Sequence, residues 1–338
     1  MRLHVATTAL TFCLLVCAFD AQADLKTCAA IAGRDQRLDC FDKLAAEAAS
    51  GLTQTTVAAK PETNEDQGAL RSRRLHERNI LDNPFGLTAY KPNYILPFTY
   101  NSKVNEEPFR DLAGDANVDS TEAKFQISIK AKLWEITDRL NLMFGYTQES
   151  WWQVYNSKVS APFRETNYQP ELFFTYSTEW HVLGMDMEQA FLSFNHQSNG
   201  RSDLLGNSND DLNGLSRSWN RIIAGAIFDK GNFVIAPRVW YRIPERERDD
   251  DNPATDRYYG WGDLRVAYAW HDMTFATILR DNFRTDENKG AVQLDWSFPL
   301  NRRFKGYVQY FYGYGESMID YDAKTNRIGV GIMLTDWI

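Results

Sequence analysis

From Leu87 onward the chain alternates apolar and polar residues with a period of two, run after run, and no other feature limits its fold so tightly. Val292, Leu294, Trp296, Phe298 and Leu300 alternate with Gln293, Asp295, Ser297 and Pro299. Leu140, Leu142, Phe144 and Tyr146 alternate with Asn141, Met143, Gly145 and Thr147, and Ile328, Val330, Ile332 and Leu334 with Arg327, Gly329, Gly331 and Met333. Successive side chains on a strand point to opposite faces, so each run presents one strongly apolar face. The runs predict about 12 strands, over 87–101, 124–136, 139–154, 165–178, 183–198, 217–228, 232–243, 257–270, 273–282, 290–300, 303–315 and 326–337. Thr137-Asp138, Asp229-Lys230-Gly231, His271-Asp272 and the joins near 180 and 302 are short, whereas Ser102 to Ala123 and Pro244 to Asp256 are long and polar. Short and long connections alternate, as they do when one end of an antiparallel barrel faces the periplasm and the other the cell exterior.

The N-terminal part supplies the compartment. Residues 1–23 carry Arg2, a mostly apolar stretch from Val5 to Phe19 and a small-x-small site at Ala21-Gln22-Ala23, which predicts a secretory leader. Neither Cys13 nor Cys17 follows the small residue a lipid-anchor signal needs. After the leader no run of about 18 apolar residues occurs, so no spanning helix is expected. Yet 14% of the chain is aromatic, with 10 Trp, 16 Tyr and 20 Phe. Export, aromatic enrichment and period-two patterning together predict an all-β, 12-stranded antiparallel transmembrane β-barrel of the bacterial outer membrane, with a small N-terminal helical extension. The mean hydropathy of -0.47 fits, because only alternate residues face lipid. A net charge of -8 argues against nucleic acid as a partner.

Between leader and barrel, the pattern predicts a helical segment and linker over 24–80 and a barrel domain over 81–338. Residues 24–50 are Ala-rich with an apolar stripe of Leu38, Phe41 and Leu44, 51–70 read as a linker, and Arg71-Ser72-Arg73-Arg74 as a solvated basic run. Cys28 and Cys40 are a disulfide candidate in an oxidising compartment, or two free cysteines. In one continuous helix they would stand roughly 18 Å apart, so a bridge requires a bend, for which Gly33 is placed.

At one point the apolar parity runs into polar residues. Ala190, Leu192 and Phe194 continue by twos to His196 and Ser198. With the N-terminus in the periplasm, that strand runs outward and ends at the cell-surface rim. Asn220 shares the parity of Ile222, Ala224, Ala226 and Phe228, across one hairpin. Polar groups facing lipid are costly, so three at one rim point to chemistry. Ser198 is a nucleophile candidate, His196 its general base, and Asn220 the group that orients the imidazole without placing a charge at the lipid boundary. A serine hydrolase opening into lipid suggests an ester of the lipid itself as substrate. The alternative is a passive porin-like channel, for which the same residues would line the lumen.

At these residues the sequence resembles the outer-membrane phospholipase A family. The matching motifs are Tyr146-Thr147-Gln148 with Ser150-Trp151-Trp152-Gln153, then Ser160-Ala161-Pro162-Phe163-Arg164-Glu165-Thr166-Asn167-Tyr168, then Asn195 to Asp203, then Ser216-Arg217-Ser218-Trp219-Asn220-Arg221. The resemblance implies a calcium-dependent phospholipase A1/A2 and lysophospholipase in the outer membrane, active as a homodimer. It implies His196, Ser198 and Asn220 as the triad, with the backbone amide of Gly200 as the oxyanion donor. It further implies calcium held by the carbonyl of Arg201 and the hydroxyl of Ser216, with Ser160 from the partner subunit, and Gln148 buried between subunits. Oxygen ligands suit a hard cation such as calcium. The loop Leu204 to Leu215, which carries Asn207, Asn209, Asp210, Asp211 and Asn213, looks longer than the family's connection; it is expected to be a solvated insertion, the alternative being that its carboxylates add a calcium ligand or change the affinity.

Overall fold

The computed structural model describes residues 27–55, 69–83, 85–109, 118–159, 162–201, 215–247, 250–301 and 303–337. The chain divides into two compact units, Met1–Asn64 and Glu65–Ile338. In the first, helix α1 (Arg34–Thr55) follows a bend at Gly33, and Cys28 and Cys40 form a disulfide with their Cα atoms 5.6 Å apart. The helix runs past residue 51, where a linker was expected to begin; the leader lies outside the described residues.

The second unit begins with helix α2 (Ala69–Leu81) and continues as strands. They are β1 (Leu87–Ala89), β2 (Asn93–Asn101), β3 (Thr121–Glu135), β4 (Leu140–Trp152), β5 (Phe163–Val182), β6 (Met185–Ser198) and β7 (Ser218–Lys230). Strand β8 (Phe233–Ile243) is followed by the short helix α3 (Thr255–Tyr259), then β9 (Gly262–Trp270), β10 (Met273–Asp281), β11 (Gly290–Pro299), β12 (Lys305–Tyr314) and β13 (Lys324–Thr335). Each strand from β2 to β13 pairs with its sequence neighbour, and β13 pairs with β2, which closes a barrel of twelve antiparallel strands. The three-residue β1 pairs with the periplasmic half of β3, below β2. The expected first strand, 87–101, is therefore broken at 90–92, and the strand expected from 257 starts after α3.

The turn chemistry sets the short end. Leu183 and Gly184 both take positive φ, 53° and 79°, the pair a two-residue hairpin of matching twist requires. Along the strands the polarity is inverted relative to a soluble protein. Leu172, Phe174, Leu192, Phe194 and Ile222 stand exposed on the outside, while Glu171, Ser193, Asn195 and Arg221 are buried inside. Inside the outer half, buried charges meet opposite ones. Glu122 holds Arg164 at 3.0 Å and Arg327 at 2.8 Å, Arg164 reaches Asp320 at 2.6 Å, and Glu316 bridges Arg327 and Lys124. Unpaired charges there would carry the full desolvation cost.

The run at 71–74 is not a solvated linker. It lies on α2, which enters the periplasmic mouth of the barrel. Leu70 packs against Val234 and Ala267, Arg74 pairs with Glu188 at 2.6 Å, and Glu77 pairs with Arg73 at 2.9 Å and with Lys130 at 2.7 Å. Above it a cavity of about 510 Å³ remains, lined by Tyr90, Met143, Phe173 and Phe191 among others.

Candidate active site

The register of β6 against β7 builds the site. His196 lies directly opposite Asn220, and Ser198 opposite Ser218. Opposed residues on one face have Cβ atoms about 5 Å apart, close enough for an imidazole and a carboxamide to meet. They do: His196 Nδ1 and Asn220 Oδ1 stand 2.9 Å apart. A carbonyl oxygen only accepts, so Nδ1 carries the proton and Nε2 is left as the basic nitrogen. Ser198 follows two residues on, on the same face, about 7 Å along the strand at Cα. No hydrogen bond joins it to His196 among the described residues; such bonds are often loose before substrate arrives.

All three face outward. Their parity continues the exposed Leu192, Phe194 and Ile222, whereas the intervening Asn195, Trp219 and Arg221 are buried in the lumen. Those inward residues form a support beneath the site. Arg221 donates to Asn195 Oδ1 at 2.7 Å and Gln197 Oε1 at 3.1 Å, Trp219 Nε1 donates to Gln197 Oε1 at 3.0 Å, and the Arg221 guanidinium lies 3.9 Å from the Trp219 ring centre. The strand pair is locked from within, and the polar trio is held at the rim from outside.

Gly200 turns the chain away from β6 with a φ of 65°, and a Cβ there would sit 2.7 Å from Cε2 of Tyr168. Only glycine meets both conditions without strain. Beside it, Asn199 gathers the ends of the 202–214 segment. Its backbone N–H donates to the Arg217 carbonyl at 3.0 Å, its amide donates to the Leu215 carbonyl at 2.7 Å, and its Oδ1 accepts from Arg217 N at 3.1 Å and Arg201 N at 3.3 Å. Asn199 thereby holds Arg201, an expected calcium ligand, and the residues on either side of Ser216, the other expected ligand from this chain. Ser160 and residues 204–214 of the insertion lie outside the described residues. A backbone carbonyl and a hydroxyl are the oxygen donors a hard cation takes, so the donor set fits calcium.

Two groups were not legible beforehand. Asn199 sits inside the motif, but its stapling role depends on where the loop returns. Glu245 lies in the connection after β8, and its Oε1 accepts from Asn220 Nδ2 at 3.1 Å. Burial pushes its carboxyl above the ordinary range, with Arg242 opposing and Asp250 adding to the rise. No local pattern marks it among the charged residues 245–251.

On the neighbouring outward face, Tyr146 donates to Gln148 at 3.3 Å, Gln148 Nε2 to Ser150 Oγ at 3.3 Å, and Thr166 to Ser150 at 3.1 Å. This polar ladder on β4 and β5 stands one strand away from Ser198, on a surface otherwise built for lipid.

Fold and site together define an outer-membrane β-barrel with a serine–histidine–asparagine cluster on its outer wall. A profile of the Phospholipase A1 family matches residues 70–334, and the chain belongs to that family. It is 38% identical to phospholipase A1 of Klebsiella pneumoniae over 257 residues, covering 75% of this chain and 84% of that one. It is 36% identical to phospholipase A1 of Escherichia coli K12 over 272 residues, covering 80% and 88%. The structure is similar to that of the Salmonella typhi outer membrane phospholipase dimer with bound calcium, with a TM-score of 0.69 at 35% identity, over 77% of this chain and 97% of that one.

Proposed function

We propose that this protein hydrolyses the acyl esters of phospholipids at the outer leaflet, by a Ser198–His196–Asn220 mechanism, with calcium, as a homodimer. The observation that carries it is the outward-facing His196–Asn220 hydrogen bond, with Ser198 on the same lipid-exposed face. Ser198 Oγ attacks the ester carbonyl carbon as its proton passes to His196 Nε2. Asn220 keeps the Nδ1–H directed away, so that Nε2 faces the serine. The oxyanion of the tetrahedral intermediate lies against the Gly200 N–H, and the positive φ of Gly200 turns the following chain out of β6 there. When the intermediate collapses, the C–O bond to the lysophospholipid breaks and His196 returns the proton to the leaving oxygen. Water, deprotonated by the same imidazole, then cleaves the acyl-enzyme and releases fatty acid.

Arg201 and Ser216 would hold calcium, and Ser160 of a second copy would complete the set; a cation held there would supply positive charge to stabilise the developing oxyanion. The calcium and dimer named for the Salmonella typhi relative support this assignment. Gln148 and the polar ladder beside it give the facing wall groups that a lipid boundary alone would not favour. The charge network and α2 that occupy the lumen oppose the passive-channel alternative.

Fatty-acid release from mixed micelles, with calcium and with chelator, tests the proposal. Parent protein turns over phospholipid with calcium and loses that activity with chelator. Ser198→Ala abolishes turnover while the barrel still shows heat-modifiable migration; full activity in that variant removes the nucleophile assignment.

A further inference from the structure

The carboxylate of Glu245 stands behind Asn220, in the line Ser198, His196, Asn220, Glu245. We propose that Glu245 is a positioning residue for the hydrolysis: by accepting from Asn220 Nδ2 it fixes which end of the carboxamide faces His196 and backs the imidazolium with a negative charge at one remove. This rests on the Ser198–His196–Asn220 assignment above.

The chemistry follows from what each group can donate. A carboxamide has two nearly isosteric ends, an acceptor oxygen and a donor nitrogen, and an Asn beside a histidine can be turned either way. An ionised carboxylate only accepts. With Glu245 Oε1 at 3.1 Å on one side, the amide must present its nitrogen there and its oxygen to His196, at 2.9 Å. The turned amide would set two oxygens against each other and its NH2 against Nδ1. That second arrangement favours the proton on Nε2, which would leave no base for Ser198. Glu245 therefore selects the tautomer through Asn220. Its charge also polarises the amide, drawing electron density toward Oδ1, as chained hydrogen bonds do. A neutral third residue thus recovers part of what a carboxylate would supply, without placing an anion on the lipid-facing wall.

The backbone puts Glu245 there. Asn220 pairs with Ile243, the last residue of β8, and Glu245 lies two residues beyond it, after Pro244. The charged groups around Glu245 are Arg242 at the end of β8 and Asp250 and Asp251 in the connection, and Arg242 is already paired with Asp250 at 2.6 Å. Around His196, the adjoining β5 brings Tyr168, opposite Ser198 on the outward face, and Glu171, opposite Asn195 and buried on the lumen side.

The test is a pH profile of kcat and KM on mixed-micelle phospholipid with saturating calcium, for the parent, Glu245→Gln and Glu245→Ala, each also in an Asn220→Ala background. A glutamine can still accept from Asn220 but carries no charge. It is expected to lower kcat about three- to tenfold at unchanged KM and to move the acid limb of kcat/KM to lower pH, because the imidazolium loses its backing. Glu245→Ala also frees the amide to turn, and is expected to lose more. In the Asn220→Ala background neither substitution should matter further. An unmoved acid limb in Glu245→Gln, or an equal loss with and without Asn220, overturns the proposal. Activity surviving in Ser198→Ala would instead remove the assignment it rests on.

Discussion

Asn199 is where a small perturbation should have the largest effect on activity for the least effect on the barrel. Its buried side chain accepts from Arg217 N at 3.1 Å and Arg201 N at 3.3 Å and donates to the Leu215 carbonyl at 2.7 Å. In Asn199→Ala all three bonds go. At a net contribution of about 0.5–1.5 kcal/mol each, and with water able to reach the freed groups at the rim, about 2–3 kcal/mol of local order is lost. That order is what holds the chain around Gly200 and ties Arg201 to the stretch that carries Ser216. If it is expressed in the barrier, kcat/KM falls about 30- to 160-fold, at about 1.36 kcal/mol per tenfold. Asn199→Asp keeps both acceptances and loses one donation, so a loss of about five- to tenfold is expected. The ladder pairs of β6 and β7 end at Ser198 and Ser218, so heat-modifiable folding should stay unchanged in both variants. The assay is fatty-acid release from mixed micelles across a calcium titration, beside electrophoretic mobility with and without boiling. An Asn199→Ala enzyme within twofold of the parent, or Ala and Asp variants that lose equally, would refute the stapling role.

Asn220→Ala should cost less than His196→Ala, because an ill-oriented imidazole still accepts a proton whereas none remains when the histidine is gone; equal losses in kcat would show that Asn220 does more than orient. Calcium and dimerisation should each tighten the other by the same factor, since the expected ligands come from two chains, and Ser216→Ala should weaken both together. Sedimentation equilibrium in detergent across a calcium titration checks this, and a dimer population indifferent to calcium would refute it. Glu316, in the connection after β12, is pushed up by burial but pulled below that by Arg327 and Lys124, to about 2 from 4.5. A depressed carboxyl contributes stability above its unfolded value that is lost as pH falls toward the folded one, here about 3 kcal/mol between about pH 4.5 and 2. The heat-modifiability midpoint should therefore drop more between pH 6 and pH 3 in the parent than in Glu316→Gln, and equal drops would exclude Glu316 as a contributor.

The barrel was legible in the sequence because a strand's faces are decided by the strand itself. Period two places Leu192, Phe194, His196 and Ser198 on one side whatever the neighbours do, and the outward parity of Ser198 and His196 could be read before any pairing was known. The tight turn at 271–272 was marked by its short polar composition, whereas the join expected near 180 falls at Leu183–Gly184, residues expected to open the next strand, because β5 runs on to Val182. The class of chemistry followed, because a base and a hydroxyl facing lipid are costly there unless they act on it.

What the tertiary structure alone decided is everything set by partners distant along the chain. The basic run of α2 reads as a solvated linker until Glu188, 114 residues away, comes to face Arg74, while Glu77, one turn further along the helix, meets Lys130, 53 residues away. The bridge between Cys28 and Cys40 depends on the bend at Gly33, not on the cysteines' spacing. The 2.9 Å contact of His196 with Asn220 depends on the register of β6 against β7, two strands that no tight turn joins. Glu245 depends on a further register, that of β7 against β8. Backbone geometry writes the period of a strand into its own residues, but a register is a property of two strands, and a site assembled across three of them becomes visible only once the barrel has closed.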